Sequence, residues 1–168
     1  MAETRIDATH LLTADHREVE ALFEKFENAM RDGTKEKLAR QICTELKIHA
    51  MIEEELFYPA LRGKIPDDVL DEAVVEHDGA KVLINDIEAG SPDDDYYDAK
   101  VKVLKEEIEH HVKEEEKERD NMFQQARATD VDLFALGEKM AARKQELKDQ
   151  AEREGLPPAK PATLKVEG

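Results

Sequence analysis

Apolar residues recur three and four positions apart through most of the chain, and breaks in that rhythm coincide with turn residues. "RDGT" (31–34), "RGKIPDD" (62–68) and "EAGSPDDD" (88–95) carry the Gly, Pro and Asp clusters that end helices and start turns. Between and after them the pattern predicts four helices, over 7–30, 35–61, 67–88 and 93–127. Short connections make neighbours antiparallel, so the expected fold is all-α, an up-down-up-down four-helix bundle over 1–128. A fifth amphipathic segment, "DLFALGEKMAARKQELKDQ", follows Thr129 and Asp130 as candidate caps; a C-terminal helix over 129–152 is expected to pack on the bundle or extend from it. Residues 153–168 hold three prolines and no periodicity, and a flexible tail is expected there.

The core phase of each predicted helix contains residues that do not belong in a core. The first helix reads Leu12, His16, Val19, Phe23, Phe26, Met30, and the second Leu38, Ile42, Leu46, His49, Glu53, Leu56, Ala60. The third gives Leu70, Val74, His77, then Ala80 or Lys81, Ile84 and Ile87; the fourth gives Val101, Leu104, Ile108, His111 and Glu115. Each helix thus places one histidine on its apolar face, and two of the four are followed one turn later by a glutamate. With helices one and three running opposite to two and four, these heights can meet in one layer.

Buried without partners, two carboxylates and four imidazoles would be costly. A cation removes the conflict, since neutral imidazole and carboxylate are its ligands. Imidazole with carboxylate suits iron, zinc, copper or nickel, and two glutamates from facing helices are placed to bridge a pair of ions. Zinc and manganese stay open on this chemistry.

Other candidates weigh less. Within "EEE" at 53–55 and 114–116, only Glu53 and Glu115 share the histidine phase, and the solvated face is expected to take Glu54, Glu55, Glu114 and Glu116. His110 and His111 point about 100° apart, and His111 continues the apolar series. His10 is expected at the surface or the end of the bundle, and Lys81 as a snorkelling lysine.

Composition narrows the partners. With 25 basic and 41 acidic residues the formal charge is −16, which disfavours nucleic acid and anionic membranes. No stretch reaches the length of a membrane span, the start lacks the apolar run of a signal peptide, and the one cysteine, Cys43, forms no internal disulfide. A cytoplasmic protein is expected, and no protein partner is indicated.

At this point "DATHLLTADHREVEALFEKFE", "ELKIHAMIEEELFYPAL", "EHDGAKVLI" and "KVLKEEIEHHVKEEEKE" together resemble the bacterial hemerythrin-like proteins with an HHE cation-binding domain, over roughly 5–145. The resemblance implies two non-heme iron ions with an oxo or hydroxo bridge. Carried across, His16 and His49 would ligate one iron, His77 and His111 the other, and Glu53 and Glu115 would bridge. It also implies a small oxidant as ligand: oxygen, peroxide or nitric oxide. A catalase-like peroxide-decomposing enzyme and an iron-handling or regulatory metal switch are the alternatives. The oxygen-carrying members pair two histidines one turn apart on the third helix, whereas here Ala73 precedes His77 and Lys81 follows it. With fewer protein ligands, the resemblance favours reaction with oxidants over reversible oxygen carriage.

Overall fold

The computed structural model describes residues 5–165; residues 1–4, within the bundle expected from the sequence, and 166–168, within the expected tail, lie outside the described residues. Helix α1 spans Ala8–Asn28, and the Asp7 carboxylate caps it by accepting the His10 N–H at 3.0 Å. It stops two residues before Met30 because Ala29 turns extended, and this leaves Met30 exposed rather than on the core face. Helix α2 spans Asp32–Ile52, continues through a π-helical turn at Glu53–Phe57 and ends in the single turn α3, Tyr58–Leu61. Helix α4 spans Asp67–Ala89, and α5 spans Tyr97–Val112 before a second π-helical turn, Lys113–Lys117. Helices α1, α2, α4 and α5 form the antiparallel four-helix bundle.

The fourth helix is shorter at both ends than its periodicity suggests. At the start, Asp94 accepts the Ser91 N–H at 2.8 Å and closes a turn, and helix begins only at Tyr97. At the end, Glu118 turns extended and Asp120 adopts a left-handed φ of 56°. The chain then folds back as α6, Met122–Arg127, capped by Asn121. That reversal drives Met122, Phe123 and Ala126 into the core, where Phe123 meets Phe57 edge-on at 5.8 Å.

The π-helical turns correct the expected core phase. Each holds one residue more than an α-turn needs, which rotates everything beyond it by about 100°. In the second helix Phe57, Tyr58 and Leu61 are therefore buried, and Leu56 and Ala60 are only half-buried.

Helix α7, Leu133–Glu154, is capped by Asp132, whose carboxylate accepts the N–H groups of Phe134 and Ala135; Thr129 and Asp130 do not cap it. It lies against α1 and α2, with Lys144 Nζ 2.5 Å from Asp15 and Arg143 paired to Glu55. Gly137 makes this crossing possible, since a β-carbon there would stand 2.6 Å from the Ile6 carbonyl oxygen.

The segment after α7, expected to be flexible, runs back along α4 over residues 156–164. Asn85 exchanges two hydrogen bonds with the Ala159 backbone, each 2.8 Å. The Asp78 carboxylate accepts the Thr163 hydroxyl and the N–H groups of Ala162, Thr163 and Leu164 at 2.5–2.9 Å, and these bonds, the hydroxyl first, hold its pKa below the ordinary carboxylate value against the effect of burial. Prolines and a missing period hide this strap from sequence reasoning, because its partners are supplied by α4 and α2 and not by the strap itself.

The apolar core is in two parts. One gathers Leu12, Ile52, Phe57, Leu70, Phe123 and Met140; the other gathers Val19, Phe23, Ile42, Ile84, Val101 and Leu104. The polar layer lies between them. Among the described residues no helix is long and apolar enough to cross a membrane.

Candidate metal centre

Each long helix of the bundle delivers one buried histidine to this layer: His16 from α1, His49 from α2, His77 from α4 and His111 from α5. The two π-helical turns add Glu53 and Glu115, both fully buried. All six residues singled out in the sequence therefore meet in one place.

They meet in two halves. The Nε2 atoms of His16 and His49 are 3.2 Å apart, and those of His77 and His111 are 3.1 Å apart. Glu53 Oε1 reaches across both halves, 2.7 Å from His49 Nε2 and 3.4 Å from His77 Nε2. Glu115 Oε1 does the same from the other side, 3.0 Å from His111 Nε2 and 3.4 Å from His16 Nε2. Two triads have ligand atoms mutually close enough for one ion each: His16, His49 and Glu115, and Glu53, His77 and His111.

The outer side of each ring is held by a carboxylate from the neighbouring helix. His49 Nδ1 lies 3.2 Å from Asp15 on α1, and His77 Nδ1 lies 2.9 Å from Glu54 at the end of α2. His111 Nδ1 lies 3.3 Å from Glu76 on α4, and His16 Nδ1 lies 3.2 Å from Glu116 beyond α5. A carboxylate accepts and does not donate, so each Nδ1 carries a proton and Nε2 is left facing inward as the atom a metal would take. Backing of this kind is what orients metal-ligating histidines. The four contacts close a ring in which every helix supports the next.

Sequence reasoning missed these partners, having assigned Glu54 and Glu116 to the solvated face. Glu55 does lie exposed. The available signal was position: Asp15, Glu54, Glu76 and Glu116 each directly adjoin a predicted ligand. Tyr58 was missed as well. The π-helical turn swings it inward until its hydroxyl lies 3.3 Å from His77 Nε2 and 3.5 Å from Glu115 Oε2. Lys81, expected at the surface, is buried and pairs with Glu54 at 2.9 Å. His10 and His110 stay at the surface, beside Asp7 and Glu114 respectively.

The electrostatics call for positive charge at the centre. Burial works against a proton on His49, but Glu53 and Asp15 outweigh it and push the pKa up to about 10. His111 is raised well above the ordinary value against burial, chiefly by Glu115. Glu53 is held well below the carboxylate range, although burial alone would raise it, by His49, His111 and His77. His16 moves the other way, lowered by burial and by the charge of His49.

Even so, Glu53 Oε1 and Oε2 and Glu115 Oε1 are buried without a hydrogen-bond partner among the described residues. Their short approaches to imidazole nitrogens lack hydrogen-bond geometry. Buried carboxylate oxygens left unpaired among imidazole nitrogens are what a metal centre presents, and the residues fit a pair of cations.

The family model for the hemerythrin HHE cation binding domain matches residues 7–119. The chain is similar in structure to a hemerythrin HHE cation binding domain-containing protein from Mycobacterium kansasii, known from a crystal structure. The TM-score is 0.74 and the identity 26%, over 90% of this chain and 95% of that one. It is also 28% identical over 106 residues to a DNA nickase of Nostoc sp., a match to 63% of this chain and 30% of that relative. This chain thus spans less than a third of the nickase.

Proposed function

The chain belongs to the hemerythrin HHE cation-binding family, and from that membership we propose that it holds two non-heme iron ions and binds or responds to a small oxidant: oxygen, peroxide or nitric oxide. One observation carries the reading: four imidazole Nε2 atoms and three orphaned carboxylate oxygens face one buried point between two apolar cores. His16 and His49 would hold one ion and His77 and His111 the other, with Glu53 and Glu115 shared. The single buried Cys43 and the absence of a membrane-spanning helix among the described residues favour the cytoplasm as its place of action.

An iron pair, when bound, supplies exchangeable positions for a small ligand and electrons to reduce it. The chain's own groups do the rest. Asp15, Glu54, Glu76 and Glu116 hold the ring tautomers and keep the imidazoles basic. Burial raises the Tyr58 hydroxyl well above its ordinary pKa, and Glu115 and Glu53 add to this, so it keeps its proton and offers it as a hydrogen bond beside His77. Phe123 stacks on His16 at 6.1 Å and helps to exclude water.

Nicking of DNA is not carried over from the relative, since the match covers a minor part of that protein and a charge of −16 repels a polyanion. Metal analysis and the visible spectrum of aerobically purified protein test the reading. About two irons per chain with oxo-bridge charge-transfer bands are expected. Folded protein that takes up no iron after anaerobic reconstitution would overturn it.

A further inference from the structure

A cavity of about 280 Å³ lies between the four histidine rings and the C-terminal strap. His16, His49, His77 and His111 all border it at one end. Val19, Leu46, Ala80, Ile84 and Ile108 contribute to its walls, and residues 156–160 roof it. Asn85 holds that roof down through the Ala159 backbone, and Asp78 anchors the chain just beyond it by accepting the N–H groups of Ala162, Thr163 and Leu164.

The size and the polarity are both informative. An apolar cavity of about 150 Å³ holds benzene, so this one accommodates a molecule of about ten non-hydrogen atoms, with two metal ions taking only a small share. Oxygen, peroxide and nitric oxide each have two heavy atoms and would leave most of it empty.

Three lysines line the cavity; Lys160 is exposed to solvent, and the two buried amines are already satisfied. Lys47 Nζ lies 2.8 Å from Glu88 and donates to the carbonyls of Leu156 and Pro157. Lys81 Nζ lies 2.9 Å from Glu54 and 3.3 Å from Asp78 and donates to the carbonyl of Lys160. Neither has charge left for an anionic ligand, and Asp15 and Glu45 on the same lining repel one. The ligand that fits is uncharged, apolar over most of its surface, and polar only where it meets the rings.

We propose that this cavity is a binding site for an organic hydroperoxide, with its hydrocarbon part against Leu46, Ile84 and Ile108 and its oxygen end towards the histidine rings. The proposal names a substrate class for the oxidant-binding reading above and rests on it.

Calorimetric titration of the full-length, iron-loaded protein with 2-phenylpropan-2-ol, the unreactive alcohol of cumene hydroperoxide, is the test, with metal content measured on the same sample. Saturable binding is expected, at least tenfold tighter than that of the carboxylate 2-phenylpropanoate, and lost for the much larger 1-pyrenemethanol. Ala80→Phe, which fills the cavity, should weaken the alcohol at least tenfold while iron content and the oxo bands persist. If that variant does not fold, the wild-type series of three probes still decides. Iron-loaded protein that binds none of the probes, or binds the carboxylate as well as the alcohol, overturns the proposal and leaves the metal reading standing. Probe binding in protein that takes up no iron would keep the cavity as a ligand site and remove the metal centre instead.

Discussion

The Nδ1 of His77 lies 2.9 Å from Glu54 Oε2. Its Nε2 faces Glu53 Oε1 at 3.4 Å, so consecutive glutamates of one π-helical turn address opposite sides of one ring. Glu54 also carries the contact to Lys81. Replacing Glu54 by Gln should weaken metal binding by about 10–100-fold, the range found for lost backing partners. Chelator competition measures it. Unchanged affinity would mean that the ring orients without its carboxylate.

Glu53 should matter most while metal is present. In metal-loaded protein, Glu53→Ala removes a ligand and leaves buried imidazoles facing nothing, with an expected loss of about 3–5 kcal/mol. After chelation the variant should still unfold below the parent, because His49 at 2.7 Å then loses its counter-charge, but by less than in the metal-loaded protein. Equal melting temperatures in both conditions would return the layer to a structural role.

Cys43 sits in the core with its thiol near the Ile84 carbonyl, and burial, with Glu88 adding to it, pushes its pKa up to about 12 from an ordinary 9.0. The folded-state value is raised, so its contribution to stability is intact below pH 9 and declines as pH climbs from there towards 12. Alkylation of native protein at pH 8 should therefore be slow and limited by unfolding. Fast labelling of folded protein would place the thiol at the surface.

Gly137 is held by backbone rather than by side chains. A β-carbon there meets the Ile6 oxygen at 2.6 Å and the Ala8 nitrogen at 2.9 Å, neither of which can rotate away. Gly137→Ala should cost about 1–3 kcal/mol through displacement of α7 from the start of α1, despite the better helix propensity of alanine. Thermal unfolding checks it; a gain in stability would show that α7 can shift freely.

The six inward-facing residues were legible because regular helices carry their phase in the spacing: His16, His49, His77 and His111 lie in regular α-helix, and Glu53 and Glu115 stand four residues beyond a histidine. The backing carboxylates were not. Each supports a ring on another helix, and no periodicity within one helix reports that. Tyr58 and Phe57 were hidden by a π-helical turn, which changes the phase without a Gly or Pro to mark it. The strap over α4 was hidden for a third reason: its order comes from Asp78 and Asn85, far away in the chain.

The ring of backing carboxylates also has an order in time. Asp15 with His49, Glu54 with His77 and Glu76 with His111 each join helices that follow one another, and these pairs become available as synthesis proceeds. The last link, Glu116 to His16, spans 100 positions and returns to the first helix. A ribosome must therefore release about two thirds of the chain before the hoop can close, and iron offered earlier would meet only a partial set of donors.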